Sequence, residues 1–352
     1  MSIKKINRFN FSKAILNWFD VHGRKDLPWQ INPSPYRVWI SEIMLQQTQV
    51  NTAIPYYLRF MDSFPDIYSL SSASTDRVMH HWSGLGYYAR ARNLHKASKI
   101  VQQEYNGVIP LDFDSLVKLP GIGKSTAGAI LSLSDNQRHP ILDGNVKRVL
   151  ARFHAIEGWP GTKKIENKFW HLAESHLPKK RMADYTQAMM DLGATLCTRS
   201  KPDCMHCPLT KRCEAKHMNQ QDQFPTRKPA KAKPHHRMNL IILRTKNKIL
   251  LEKRPESGIW GGLSSLPELE NNSPIDGWIK KRLESAPKKI SEMNPVHHAF
   301  SHYTMDIFPI EVRIDSSSCK LDLNENEFWY ELNHPEEVGM ASPVKKLLEQ
   351  VR

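Results

Sequence analysis

Cys197, Cys204, Cys207 and Cys213 form a C-x6-C-x2-C-x5-C run, and no other feature restricts this 352-residue chain so tightly. Two of the thiols flank a tight Cys-x-x-Cys turn, and the outer two are near enough in sequence to fold back onto it. Four thiolates converging in one loop are the donor set of a metal centre. The compact spacing, with turns at Pro202 and Pro208, suits a [4Fe-4S] cube better than a zinc ribbon, whose Cys-x-x-Cys pairs stand further apart. Two structural disulfides are the other reading, and they require an oxidising compartment to which nothing in the chain points. Cys319, the fifth cysteine, reads as a small buried apolar residue.

Charge narrows the partner. Lys and Arg number 50 against 36 Asp and Glu, a net charge of +14. That excess favours a polyanion, most simply nucleic acid, although a generic basic surface gives the same count. No apolar run approaches the ~18 residues that a membrane span requires. Lys4, Lys5 and Arg8 open the chain, but Asn10, Asn17 and Asp20 interrupt the stretch after them. There is no signal-peptide core, and the expected location is cytoplasmic, away from membranes.

Apolar residues recur at three- and four-residue steps through Phe11–Asp20, Tyr36–Thr48, Thr52–Phe60, Thr75–Trp82, Ala89–Glu104, Ser125–Ser134, Val146–His154, Lys164–Glu174 and Asp184–Thr195, which predicts helices joined by short turns. Residues 225–237 carry three prolines and five Lys or Arg with no acid. They read as a linker, either a solvated tether or one suited to lying along a phosphate backbone. From Met238 the texture changes. Leu240–Leu243 and Ile249–Leu251 flank Lys246-Asn247-Lys248 as a β-hairpin would, Met305–Ile314 alternates like a strand, and Asp276–Glu284 and Pro343–Val351 look helical. The C-terminal third is expected to be a separate α+β domain.

Leu119-Pro120-Gly121-Ile122-Gly123 joins a short helix at Ser115–Lys118 to the helix from Ser125. Gly121 and Gly123 let the chain reverse tightly and bring backbone N–H groups to an anion such as a DNA phosphate, with no reading of base sequence. Gly123-Lys124-Ser125 is not a nucleotide-binding P-loop, because Lys118 stands where that motif needs its first glycine. An ordinary helix-turn-helix corner is the plainer alternative.

With this hairpin, Asp143 beyond it and the cysteine loop after that, the chain resembles the endonuclease III superfamily of DNA base-excision glycosylases. Trp39–Val50, Gly84–Arg90, Leu119–Ala127, Asp143–Arg148 and Gln187–Gly193 resemble, within it, the adenine DNA glycosylases of the MutY family. The resemblance covers almost the entire chain. It implies a mostly α fold, a helix-hairpin-helix DNA glycosylase with an iron-sulfur cluster loop, plus a C-terminal α+β Nudix-like domain. Residues 1–22 with 140–224 would form the cluster-bearing lobe, 23–139 the helical lobe with the hairpin, 225–237 the basic linker and 238–352 the Nudix-like domain. The implied activity is removal of adenine mispaired with 8-oxoguanine, or with guanine, from double-stranded DNA. The implied enzyme is a monomer associated with a bacterial nucleoid.

Cleaving the bond from adenine to its sugar needs a proton for the leaving base and a negative charge for the sugar cation. Two carboxylates in different environments divide those tasks. Glu42, among Trp39, Ile40, Ile43 and Leu45, is the expected proton holder, since burial raises a carboxyl pKa. A surface glutamate on an amphipathic helix is the alternative from residue type alone. Asp143 is the expected ionised partner and also a natural N-cap, where the helix dipole keeps it charged; Asn145 is the expected orienter of Asp143 and of a water. Ser125 stands where strand-nicking members of the superfamily carry a Schiff-base lysine, and a serine cannot form that imine. The expectation is a monofunctional enzyme, with any residual nicking due to Lys124 or Lys147. A bifunctional endonuclease III-like glycosylase/lyase for oxidised pyrimidines is the alternative, opposed by Ser125 and the additional domain. By the same resemblance Gln47 and Tyr87 wedge into the duplex once the base is extruded, and Trp29, Gln30, Leu45 and Gln187 form the base pocket.

Pro255–Leu263 resembles the opening loop of a Nudix domain. Asp276 and Gly277 stand where the magnesium-binding Arg-Glu belongs, so pyrophosphate hydrolysis is not expected and a binding role is. The resemblance makes Phe300, Ser301 and His302 the loop that tests the opposite base for oxidation.

Overall fold

The computed structural model describes residues 9–229, 232–270, 273–283, 286–300, 303–315, 321, 323–333 and 335–351. They fall into two compact units, Met1–Ser71 with Lys96–Ala230 and Ser72–His95 with Lys231–Arg352. No helix among the described residues is long and apolar enough to cross a membrane.

The first unit is helical: α1 (Phe11–His22), α2 (Pro35–Leu45), α3 (Val50–Ser63), α4 (Ile67–Ser72), then, after a segment of the second unit, most of α6 (Ala89–Glu104), α7 (Phe113–Lys118), α8 (Lys124–Asp135), α9 (Gly144–Phe153), α10 (Lys163–Ser175), α11 (Met182–Asp191) and the single turn α12 (Glu214–His217). Polar caps set the starts. Asn10, Ser34, Asp112 and Asp143 accept the backbone N–H of Lys13, Arg37, Ser115 and Val146, each satisfying a donor the helix cannot. One core draws Ile15 and Phe19 from α1, Leu150 and Phe153 from α9, Phe169 from α10 and Met189 from α11. Each fully buried side chain of this kind contributes about 1.5–3 kcal/mol.

The helix expected over Asp184–Thr195 is regular only to Asp191; Leu192–Leu196 widen into a π-helical turn. Within that turn Gly193 packs closely against Asn145 of α9. The start of the basic linker is not a free tether: Thr226 Oγ1 accepts from the Gly158 N–H at 3.1 Å, and the Lys228 ammonium lies 5.2 Å from the Trp159 ring centroid.

In the second unit α5 (Thr75–Trp82) and the start of α6 accompany an eight-stranded mixed sheet. The expected hairpin is β1 (His235–Arg244) and β2 (Lys248–Lys253), antiparallel with Arg244 opposite Ile249. The expected strand over 305–314 is β7 (Thr304–Arg313), parallel to β1. The short β3 (Ser264–Ser265), β4 (Glu268–Leu269), β5 (Lys289–Glu292), β6 (Val296–Ala299) and β8 (Glu327–Glu331) complete the sheet; runs of two to five residues carry too little periodicity to be read from sequence. The expected helices are α13 (Ile275–Arg282) and α14 (Ser342–Gln350), the latter burying Val344, Leu347 and Leu348. Cys319 lies outside the described residues.

Candidate active site

An open cavity of about 900 Å³ in the first unit is lined by the end of α2 and the turn after it, the starts of α8 and α9, and α11. It gathers Trp29, Glu42, Leu45, Gln47, Ser125, Asp143, Asn145 and Gln187, drawn from five separate stretches of chain. Among the described residues on its wall there is no lysine.

Glu42 is held on α2 between the buried Ser41 and Ile43. Burial pushes its carboxyl up to about 8, and the charge of Asp143 adds to that rise. Asp143 caps α9, accepting from Val146 N–H at 2.7 Å and from the Asn145 amide at 3.1 Å. Burial raises its pKa too, against the pull of those hydrogen bonds and of Arg148. The helix start therefore does not leave Asp143 at an ordinary carboxylate value. Burial thus lifts both carboxyls, and of the two only Asp143 has hydrogen bonds, from Val146 and Asn145, that oppose the rise.

Sequence reasoning missed the residue that fixes this arrangement. Arg148, one turn along α9, donates to the Asn145 Oδ1 at 2.8 Å, to the Gly193 carbonyl at 2.6 Å and to the Cys197 carbonyl at 2.6 Å. A continuous hydrogen-bonded line thus runs from the backbone of the first cysteine through Arg148 and Asn145 to Asp143. Its only prior signal was position, as the last residue of the Asp143–Arg148 segment. A methyl added at Gly193 would stand 2.5 Å from the Asn145 Cβ and 2.9 Å from its Cα, so the π turn can approach only as glycine. Gly193→Ala is expected to displace Asn145 and to lower the melting temperature; an unchanged melting temperature would show that the π turn has room for the added methyl.

A second missed pair underlies the wall beside Trp29. Asp191, 1% exposed, receives the Arg24 backbone N–H at 2.8 Å and two guanidinium donors at 2.6 and 2.8 Å. The Gln187 amide also donates to it, at 2.8 Å. A buried carboxylate satisfied this fully is a rigid anchor. Gln30, expected in the pocket, uses its amide on its own loop, donating to the Arg24 carbonyl and accepting from the Leu27 N–H; it faces a neighbouring chamber and is not on the main wall.

Ser125 faces the cavity and accepts the Leu142 N–H at 3.0 Å, which ties the chain entering Asp143 to α8. Lys124 is exposed, and Lys147 pairs with Glu166 at 3.5 Å. The turn between α7 and α8 has Gly121 at φ +81°, with Gly121 and Gly123 both exposed. A Cβ on Gly123 would meet nothing within 4 Å, so packing does not demand that glycine. Gln47, at the tip of the turn after α2, is exposed with φ +58°, a costly conformation for a side-chain-bearing residue.

In the second unit Tyr87 is likewise exposed at φ +50°. Phe300 stacks on Tyr303 at 4.2 Å and meets the edge of His298 at 4.4 Å. Ser301 and His302 lie outside the described residues. Arg254 binds Glu268 at 2.8 Å, and α13 carries Asp276 as its single acid.

All four cysteines of the loop are free thiols on the wall of one apolar chamber with Val149, Phe153 and Leu209. Burial raises the Cys197, Cys207 and Cys213 thiols, Cys207 to about 12. The buried Arg152 points Nη1 at the Cys197 sulfur, 3.4 Å away, and also binds the Thr198 and Arg199 carbonyls. Gln221 approaches the Cys204 sulfur at 3.8 Å. Among the described residues no three donors converge as a single ion would require.

Comparison with known proteins gives the family. Residues 40–175 match the model of the HhH-GPD superfamily of base excision DNA repair proteins, and residues 238–350 that of the NUDIX domain. An adenine DNA glycosylase of Buchnera aphidicola subsp. Acyrthosiphon pisum (strain APS) is 42% identical over 347 residues, covering 99% of each chain. That of Homo sapiens is 40% identical over 223 residues, which are 61% of this chain and 41% of the human one. A solved thermostable thymine-DNA glycosylase superposes with a TM-score of 0.54 at 25% identity, over 59% of this chain and 95% of its own. An endonuclease III trapped on DNA shares the fold at a TM-score of 0.51 and 20% identity, over 59% of this chain and 94% of its own. With whole-length relatives at this identity, this chain belongs to the adenine DNA glycosylase family.

Proposed function

We propose that the chain excises adenine from double-stranded DNA where it is mispaired with 8-oxoguanine, and with guanine, acting as a monomer at the bacterial nucleoid. The observation that supports this most is Glu42, kept protonated by burial and by the charge of Asp143 in a cavity wide enough for an extruded base. Glu42 gives its proton to the departing base, which otherwise leaves as a poor anionic leaving group. Asp143 stabilises the positive charge growing on the sugar, and Asn145 holds Asp143 and a water in place. Trp29, Leu45 and Gln187 bound the flipped base, while Gln47 and Tyr87 fill the space it leaves. Among the described residues no lysine lines the cavity, which supports hydrolysis without a Schiff base.

Gly121, Gly123, Lys124 and Ser125 form the phosphate grip. Gly123→Ala is expected to leave the melting temperature unchanged and to weaken binding to any duplex about tenfold, the worth of hydrogen bonds to one charged phosphate. Weakening confined to mispaired duplexes would contradict that role.

The residues around the cysteine chamber fit a [4Fe-4S] cluster. Four sulfurs ring an apolar space without being drawn to a point, with Arg152 and Gln221 supplying donors to sulfur. Cys197, Cys204, Cys207 and Cys213 would hold it, and when bound it would serve as a structural clamp on the 197–213 loop. We also propose the two-lobed division of the helical part, 1–22 with 140–224 and 23–139. In the domain after the linker, Phe300, Ser301 and His302 are proposed as the opposite-base reader.

The direct test is incubation with duplexes carrying A opposite 8-oxoguanine, A opposite G, A opposite T, and thymine glycol, each followed by alkali. Alkali-dependent cleavage at A is expected in the first two alone; cleavage at thymine glycol without alkali would overturn the proposal.

A further inference from the structure

Behind Trp29 lies a second cavity of about 220 Å³ that the excision chemistry does not use. It shares Arg24, Trp29 and Gln187 with the main cavity, and its remaining wall includes Val38 and Ser41 of α2, Leu133 of α8 and Ala183 of α11. We propose that this chamber holds the free purine after its bond to DNA has broken. The inference rests on the adenine-excision reading above.

Size, chemistry and position support the occupant. The volume equals about seven waters at ~30 Å³ each, room for a bicyclic base. The shared wall carries a matched donor and acceptor. Gln187, 6% exposed, gives its amide N–H to Asp191 and leaves its carbonyl oxygen available. Arg24 uses Nε and Nη2 on the same carboxylate and leaves Nη1. Adenine presents an amine donor next to a ring-nitrogen acceptor, whereas a 6-oxo purine presents an acceptor where adenine has its amine. Once DNA covers the open face of the main cavity, the released base has no forward exit. A chamber that shares Arg24, Trp29 and Gln187 with the main cavity takes the base from the sugar it has just left, so the DNA product can stay bound without the base blocking the water.

The test uses the full-length, cluster-containing protein bound to a duplex with a non-cleavable abasic-site analogue, dialysed against labelled adenine or hypoxanthine. Saturable one-to-one adenine binding is expected, at least tenfold tighter than hypoxanthine. Ala183→Leu and, independently, Leu133→Phe should weaken adenine at least tenfold while keeping single-turnover excision from A opposite 8-oxoguanine within twofold. Adenine binding undiminished in both variants would place the base in the main cavity and overturn the proposal, as would no adenine binding by the unaltered protein. Loss of excision in both filled variants would equally reject a chamber separate from catalysis. If the unaltered protein fails to excise adenine, the excision reading falls instead, which the same excision assay distinguishes.

Discussion

Glu42→Gln is expected to reduce single-turnover excision of adenine by about 10²–10⁴-fold, the range that a positioned general acid supplies, with DNA binding retained. Glutamine keeps the shape and loses the transferable proton. The pH dependence carries the same message with a definite sign. Glu42 is active when protonated and its pKa is pushed up to about 8, so excision should be flat through neutrality and fall about tenfold per unit above pH 8. Stability has a related signature. The folded state keeps a proton that the unfolded chain releases near 4.5, so burial of Glu42 is destabilising above pH 4.5, and the cost grows until the folded group itself ionises near 8. Glu42→Gln should therefore melt higher than the parent at pH 8 and differ little at pH 4. A variant that keeps excision, or a parent whose rate rises between pH 8 and 9, removes Glu42 from the acid role.

Arg148→Leu is the second large effect. The guanidinium satisfies the carbonyls of Cys197 and Gly193 and the Asn145 Oδ1 at once, and leucine leaves all three without a donor. A fully buried acceptor stranded in this way costs about 1–3 kcal/mol; these three are partly buried and cost less each, but together they predict a fall in melting temperature. Asn145 then loses its hold and Asp143 its orientation, which should slow excision about 10²-fold. Arg148→Lys should not rescue it, because a point charge cannot reproduce the planar fork that reaches three acceptors. Full activity in the lysine variant would reduce Arg148 to a simple counter-charge. Excision within twofold of the parent in Arg148→Leu would disconnect the cysteine loop from the carboxylate.

Much of the helical framework was legible because its signals are local. Ser34 before Pro35, Asp112 before Phe113 and Asp143 before Gly144 announce helix starts through hydrogen bonds within four residues. Glu42 was legible as a carboxylate in an apolar stretch, and the tight turn between α7 and α8 as two glycines two residues apart. Other features were not local. The π turn at Leu192–Leu196 carries Gly193 against Asn145 from another helix, a contact no local pattern announces. Asp191 reads as an ordinary helical acid until Arg24, 167 residues earlier, closes on it. Gln30 looked like a pocket residue and instead braces its own loop.

The residue order alone set the chemical vocabulary: a four-thiol loop, a glycine-bearing turn between two helices, two carboxylates far apart in sequence, and a change to β texture after a basic linker. Those are properties of residue type and short spacing, which a chain carries whether or not it is folded. Tertiary structure alone decided the surroundings of the two carboxylates, with burial the main cause that lifts both. The rise depends on how completely each is taken from water and on which N–H groups reach it, and both Val146 and Asn145 reach Asp143, while the charge of Asp143 itself drives Glu42 upward.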